Sequence, residues 1–188
     1  MTEWIPLSGD ILSGKTQTLY KILRELLKTG RVQVCGFFQP SRETNKIRDG
    51  YDLAFIGQNA ITYKKFAVKN LNAPPKTMPW FFNNALFDEA LEESKSFKFD
   101  GRPVVLLLDE LGQLEVHQKG HFNAISSWVE RLKGRKAFII GTTSAHRVEL
   151  AKEMMENLGV KTSELNYKVP LDDNQVSEFV KTLIEHLT

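Results

Sequence analysis

The chain has 188 residues, 41% of them hydrophobic and 26% charged, which is typical of a globular protein, and we predict one domain over residues 1–188. The formal net charge of only +2, without a basic run, argues against a nucleic-acid-binding protein. Three observations lead us to predict a cytoplasmic protein without a membrane interaction. Cys35 is the only cysteine, so no internal disulfide can form, and no apolar run is long enough to span a bilayer. In addition, cleavage of a signal peptide would remove Lys15.

The first predicted strand, residues 3–8, leads into a loop with the spacing G-x-x-x-x-G-K-[ST], which is the P-loop or Walker A pattern. Its two glycines allow a tight turn in which successive backbone N–H groups point at phosphate oxygens. Lys15 reaches the β- and γ-phosphates, Thr16 offers its hydroxyl to Mg²⁺, and the helix that begins near them adds its dipole. The predicted nucleotide-binding residues are Gly9, Asp10, Ile11, Leu12, Ser13, Gly14, Lys15, Thr16 and Gln17.

Two residues fit this motif less well. Pro6 lacks the backbone N–H that an interior strand residue donates to its neighbour. Asp10 places a carboxylate inside a loop that binds anions, and it would weaken phosphate binding unless its side chain points outward. The surroundings of these two residues therefore bear on whether the loop can hold a nucleotide.

The segment after the P-loop has apolar residues at helical spacing, and Gly30 is placed where this helix should end. Residues 31–38 are rich in strand-forming residues and are predicted as the second strand. Residues 39–50 are predicted as a polar loop, which is either simply solvated or brings Arg42 or Arg48 toward bound phosphates.

Next, residues 51–57 and 60–68 alternate in the manner of a hairpin, which we expect to be antiparallel. Residues 70–79 contain three prolines and are predicted as a connector, and residues 80–96 are predicted as a helix. The region from about residue 47 to residue 79 is thus expected to be an insertion of a hairpin and a connector into the parallel sheet.

The second informative motif closes a continuous apolar run. Residues 103–108 are typical of a strand that is buried on both faces, and Asp109 and Glu110 follow it directly, as in a Walker B motif. An Asp at the carboxyl end of such a strand can hold Mg²⁺, and the adjacent Glu can deprotonate the attacking water. The alternative is that either side chain is a solvent-facing loop carboxylate.

The remaining elements continue the alternation of strands and helices: a helix at 121–134, a strand at 137–141, a helix around 148–158, a strand at 165–169 and a last helix after Asp172. Residues 142–144 stand where many P-loop enzymes place a polar sensor of the γ-phosphate. This order predicts an α/β P-loop three-layer sandwich, with a mostly parallel sheet, an added antiparallel hairpin and helices on both faces.

With both motifs placed, the chain resembles the small P-loop enzymes called the cancer-related nucleoside-triphosphatase family, of the archaeal and bacterial type. The resemblance rests on the P-loop and on three further stretches, which are Gly36-Phe37-Phe38, the series Arg42-Glu43 and Arg48-Asp49-Gly50-Tyr51, and Asp109-Glu110-Leu111-Gly112-Gln113-Leu114-Glu115. His146-Arg147 is similar to a His-Arg pair after a later strand of that family. The Asp-Glu-aliphatic-Gly signature is the most specific of these matches.

This resemblance implies Mg²⁺-dependent hydrolysis of nucleoside triphosphates, ATP and possibly GTP, to diphosphates, with a broad base preference. It adds Arg42, Glu115 and Arg147 as site residues to Lys15 and Glu110 as catalytic residues and to Thr16 and Asp109 as metal ligands. The chain departs from the family at Asp10-Ile11-Leu12, Gln17 and Gln113, which puts the rate of hydrolysis in question. A nucleotide-binding switch with little hydrolysis and a small-molecule kinase therefore stay open as alternatives.

Overall fold

The computed structural model describes residues 2–45, 47–70, 72, 80–165 and 167–187. The strands are β1 (Thr2–Gly9), β2 (Gln33–Phe38), β3 (Ser41–Thr44), β4 (Ile47–Ile56), β5 (Ile61–Lys69), β6 (Trp80–Phe82), β7 (Val104–Leu108), β8 (Ala137–Ser144), β9 (Lys161–Thr162) and β10 (Tyr167–Lys168). The helices are α1 (Lys15–Thr29), α2 (Ala85–Ser96), α3 (Gln113–Val116), α4 (Phe122–Leu132), α5 (Val148–Asn157) and α6 (Asp173–Leu187), and a 3₁₀ turn covers Ala145–Arg147.

The strands form one mixed sheet in the order β10-β1-β8-β7-β2-β4-β5-β6, with β3 added to β4 and β9 to β1. All pairs from β10 to β2 are parallel, whereas β2 with β4 and every pair beyond it are antiparallel. The predicted fold class is therefore confirmed: a mostly parallel sheet with an added antiparallel hairpin. Because β1, β8 and β7 run in parallel, their carboxyl ends meet at one edge of the sheet, where the two motifs lie.

The central strands are apolar on both faces because helices cover both sides of the sheet. Leu106 and Leu108 of β7 pack with α2, α4 and α5, whereas Val105 and Leu107 pack with α1 and α6. All five residues of β7 are buried, as expected for a strand with two covered faces. No described helix is long and apolar enough to cross a membrane.

Pro6 is accommodated by a break in the strand pairing. The carbonyls of Trp4 and Ser8, which point to the same side of β1 as Pro6, accept hydrogen bonds from Ser163 and Val169. On that side β9 pairs only up to Trp4 and β10 only from Leu7, so the nitrogen of Pro6 lies between two short strands. The missing donor therefore costs no ladder hydrogen bond, and β1 stays a central strand.

The predicted polar loop at residues 39–50 is wrong, because β3 and the first part of β4 form an antiparallel hairpin there. Polar cross-strand contacts stabilise it: the Thr44 hydroxyl donates to Asp49, and Arg42 pairs with Asp49 and Asp52. The predicted hairpin of residues 51–57 and 60–68 is confirmed as β4 and β5, with β4 starting four residues earlier than expected.

The helix predicted at residues 80–96 is also wrong at its start, since Trp80–Phe82 is strand β6, paired with β5, and α2 begins at Ala85.

The connector predicted at residues 70–79 lies mostly outside the described residues. Of the strand predicted at residues 165–169, the described part forms β10 over Tyr167–Lys168, and Lys161–Thr162 forms a separate strand that the sequence pattern does not predict. Two predicted helix ends are correct: Gly30 is left-handed at the end of α1, and Asp172 and Gln175 exchange capping hydrogen bonds at the start of α6.

A buried histidine sits in the core beside the site. The ring of His121 packs on Phe37 and Phe87 at centroid distances of 4.4 and 4.7 Å, and neither of its nitrogens has a hydrogen-bond partner among the described residues. Burial lowers the pKa of His121 from 6.5 to about 3. The folded protein therefore keeps this ring neutral at pH values at which the unfolded chain already protonates it.

This difference predicts a pH-dependent loss of stability. A pKa that is lower in the folded state leaves stability intact above pH 6.5 and reduces it as the pH falls below that value. Replacing His121 by Phe removes this titration. The free energy of unfolding of the variant, relative to that of the wild type, should therefore be about 1.4 kcal/mol higher at pH 5.5 than at pH 7.5. Urea unfolding of both proteins at several pH values measures this, and two parallel pH profiles would contradict it.

Candidate active site

The P-loop connects β1 to α1 with the backbone that its motif requires. At Gly9 a Cβ atom would lie 2.4 Å from Oγ of Ser13 and 2.7 Å from Cγ2 of Val169, so any larger residue would have to displace these side chains. Gly14 is left-handed with φ of 83°, and Leu12 adopts φ of 65°, which costs a residue with a side chain about 1–2 kcal/mol. The loop thus keeps a strained conformation of the kind found at functional sites.

Lys15 lies inside this loop. Its Nζ donates to the carbonyl oxygens of Asp10 at 2.8 Å and Gly9 at 3.3 Å, and the residue is 6% exposed. The side chains of Asp10, Ile11, Leu12 and Gln17 are exposed, and Ser13 is half-buried. The positive charge is therefore held at the loop, while the Asp10 side chain stands in water.

The two predicted metal ligands meet, although they lie 93 residues apart in the chain. The Thr16 hydroxyl donates to Oδ2 of Asp109 at 2.8 Å. The same oxygen accepts the backbone N–H of Gln39 at 2.9 Å, and Oδ1 accepts the Thr142 hydroxyl at 2.5 Å. A carboxylate and a hydroxyl side by side are the hard oxygen donors that Mg²⁺ prefers, so these residues fit the ion.

Asp109 is buried, and this burial raises the pKa of its carboxyl, against the effect of the hydrogen bonds that it accepts. A buried carboxylate in this position favours a cation beside it, since nearby positive charge stabilises the ionised form. A cation would offset this cost of burying Asp109, and the role of Asp109 as a metal ligand stays a prediction.

Glu110 has a left-handed backbone with φ of 57° and an exposed side chain. Partial desolvation of its carboxyl by the surrounding protein raises the pKa of Glu110, and the charge of Asp109 acts in the same direction. The positive charges of Lys15 and Arg147 lower it. A raised pKa moves a carboxylate toward the range in which it acts as a general base near neutral pH.

Arg147 and Arg42 have different surroundings. Arg147, in the 3₁₀ turn after β8, donates to Oγ of Ser144 at 3.4 Å and acts electrostatically on Glu110, so the fold brings it to the site. The guanidinium of Arg42 instead bonds Asp52 at 2.9 Å and the carbonyl of Ala67 at 3.3 Å. Arg42 is thus engaged within the hairpin, and its role toward bound phosphate stays a prediction.

Glu115 is buried and bonded to the backbone. Its Oε2 accepts the N–H of Gly112, and its Oε1 accepts the N–H of His121, both at 3.1 Å. This carboxylate therefore links the two ends of the segment from Gly112 to His121. Its burial raises the pKa of Glu115. Both of its oxygens serve a structural purpose, and its role in the site stays a prediction.

Sequence reasoning missed Gln39 and the contacts of Thr142. Gln39 follows the carboxyl end of β2, and its backbone N–H donates to Asp109. Its position at a strand end, beside the end of β7, is the one feature of the sequence that could have placed it in the site. In the segment predicted as a γ-phosphate sensor, Thr142 and Thr143 are fully buried, and Ser144 is only half-buried. Strand β8 includes all three residues and is longer than predicted.

The P-loop and the pair Asp109 and Glu110 lie within the part of the chain, residues 4–169, that matches the profile of the NTPase family. The chain belongs to this NTPase family. The resemblance drawn from the motifs is thereby confirmed, and family membership supports nucleoside triphosphatase activity in general terms.

This NTPase also resembles a solved structure. The solution structure of a human cancer-related nucleoside triphosphatase matches it with a TM-score of 0.67 and 21% sequence identity, over 96% of this chain and 97% of that one. At this identity the likeness shows the fold, which agrees with the mixed sheet described above. No curated protein matches the sequence of the chain.

Proposed function

We propose that the protein is a Mg²⁺-dependent phosphohydrolase that converts nucleoside triphosphates, ATP and possibly GTP, to the diphosphate and phosphate. The observation that carries this proposal is the hydrogen bond of 2.8 Å between Thr16 and Asp109, which joins the two motifs at one point of the sheet edge. The name of the similar human structure, a nucleoside triphosphatase, supports the same reaction.

Each residue of the site has a separate role in this proposal. The loop N–H groups and Lys15 bind the phosphates, and Thr16 and Asp109 hold Mg²⁺, which supplies charge neutralisation at the γ-phosphoryl group. Glu110 accepts a proton from a water molecule while the oxygen of this water attacks the γ-phosphorus. The bond between that phosphorus and the bridging oxygen of the diphosphate then breaks. Arg147, whose positive charge acts on Glu110, adds positive charge where negative charge develops.

Two other functions use the same loop. The departures at Asp10 and Gln113 favour a nucleotide-binding switch with little hydrolysis, and both side chains are exposed, where a partner could reach them. A small-molecule kinase would transfer the γ-phosphoryl group to an acceptor other than water, and no arginine-rich lid is evident in the sequence.

Phosphate release without an added acceptor separates the three functions. Purified protein is incubated with ATP or GTP, either with Mg²⁺ or with EDTA. We expect phosphate release with Mg²⁺ and its loss with EDTA. Tight nucleotide binding without release would favour the switch, and release or transfer that needs an added acceptor would favour the kinase.

A further inference from the structure

Thr142 has three hydrogen bonds to consecutive residues at the end of β7. Its hydroxyl donates to Oδ1 of Asp109 at 2.5 Å and accepts the backbone N–H of Glu110 at 2.8 Å. Its carbonyl accepts the N–H of Leu111 at 2.8 Å. One residue of β8 therefore touches the predicted metal ligand, the predicted base and the residue after them.

The strand register explains why Thr142 stands there. β7 and β8 are parallel and in register up to Leu108 opposite Gly141, so the next residues of the two strands are neighbours at the sheet edge. At this point β7 ends, and Glu110 turns into the left-handed conformation with φ of 57°. Such a conformation is unfavourable for a residue with a side chain and persists only where neighbouring groups hold it. The bond from the Glu110 N–H to the Thr142 hydroxyl is one such restraint.

The Thr142 hydroxyl is not placed to contact a phosphate itself. It is fully buried, its proton is donated to Asp109, and an oxygen lone pair accepts from Glu110. With Oδ1 of Asp109 bonded to this hydroxyl, the other carboxylate oxygen is directed at Thr16. Thr142 thus acts on the site through Asp109 and Glu110.

We propose that Thr142 is a positioning residue, which aligns the metal-binding carboxylate of Asp109 and the left-handed backbone of Glu110 together. This inference rests on the proposed function, because it assigns a common support to the metal ligand and the general base. Groups that orient metal ligands in this way typically affect metal affinity or activity by about 10- to 100-fold when they are removed.

Thr143 provides a matched control on the same strand. Although it belongs to the segment predicted as a γ-phosphate sensor, Thr143 is fully buried like Thr142. Its hydroxyl donates to the carbonyl of Leu111 at 2.9 Å, so it is directed neither at Asp109 nor at a phosphate. Replacing either threonine by valine removes one buried hydroxyl and keeps the branched shape. A purely structural role for Thr142 therefore predicts similar losses in both variants.

The test compares Thr142→Val, Thr142→Ser and Thr143→Val with the wild type. Binding of Mn²⁺, which takes the same oxygen ligands as Mg²⁺, is measured by electron paramagnetic resonance with a nonhydrolysable ATP analogue present. Affinity for the analogue in EDTA, single-turnover ATP hydrolysis and urea stability are measured beside it. We expect Thr142→Val to lose at least about tenfold in both Mn²⁺ affinity and hydrolysis rate, with analogue affinity in EDTA within about twofold of the wild type.

Thr142→Ser keeps the hydroxyl and should therefore recover most of the Mn²⁺ affinity and of the hydrolysis rate. Thr143→Val should retain wild-type Mn²⁺ affinity. A folded Thr142→Val that binds Mn²⁺ as the wild type does would overturn the inference, as would an equal loss in Thr143→Val. If Thr142→Val does not fold, Thr142→Ala carries the same expectation. A wild type that binds Mn²⁺ and releases no phosphate contradicts the proposed function alone, whereas a wild type that binds no Mn²⁺ contradicts both.

Discussion

Replacing Glu110 by Gln is expected to slow single-turnover hydrolysis of Mg-ATP by about 10²–10⁴-fold, because glutamine keeps the shape of the side chain and loses its basicity. The prediction rests on the left-handed backbone of Glu110 and on the charges of Asp109, Lys15 and Arg147 around its carboxyl. Binding of Mg-ATP should stay within a few-fold of the wild type, since the partner of Glu110 is the attacking water and not the nucleotide.

The measurement pairs rapid-quench hydrolysis with calorimetric binding of a nonhydrolysable ATP analogue. Glu178→Gln, an exposed carboxylate on α6, serves as the control and should hydrolyse at the wild-type rate. If Glu110→Gln also hydrolyses at the wild-type rate, the general base lies elsewhere. Glu115 is then the next candidate, although its carboxylate is already bonded to two backbone N–H groups.

Replacing Lys15 by Ala should weaken ATP binding by roughly 10- to 150-fold, which corresponds to the 1.5–3 kcal/mol of a hydrogen bond to a charged group. The Lys15 ammonium is held at the loop by two backbone carbonyls, so the variant loses a cation that is already in place. We expect the fold to survive, because the lost contacts are confined to the loop.

Calorimetric titration with ATP measures this loss, and urea unfolding checks that the variant is folded. Lys21→Ala is the matched control on the same helix, since its ammonium is exposed and pairs with Asp173 at 2.7 Å. It should bind ATP within about twofold of the wild type. If Lys15→Ala is folded and binds ATP as tightly as the wild type, the P-loop is not the nucleotide-binding site.

The sequence by itself determined the central part of this protein. The P-loop, the strand that ends at Asp109 and the long helices α1, α4 and α6 can be recognised because their signals are local: fixed glycine spacing, a continuous apolar run and apolar residues at helical spacing. These same elements carry Lys15, Thr16, Asp109 and Glu110, so local patterns are sufficient to name the main residues of the candidate site.

Only the tertiary structure decided the edges of the sheet and the contacts among the site residues. Strands β3 and β6 are short and edge-like, and β3 is also polar, so their hydrogen bonds come from pairing with β4 and β5 and leave no periodic signal in the chain. The bonds that Asp109 accepts from Thr16, Gln39 and Thr142 join residues between 33 and 93 positions apart in sequence. Parallel pairing places the strand ends side by side, and this alignment of distant segments cannot be read from local spacing.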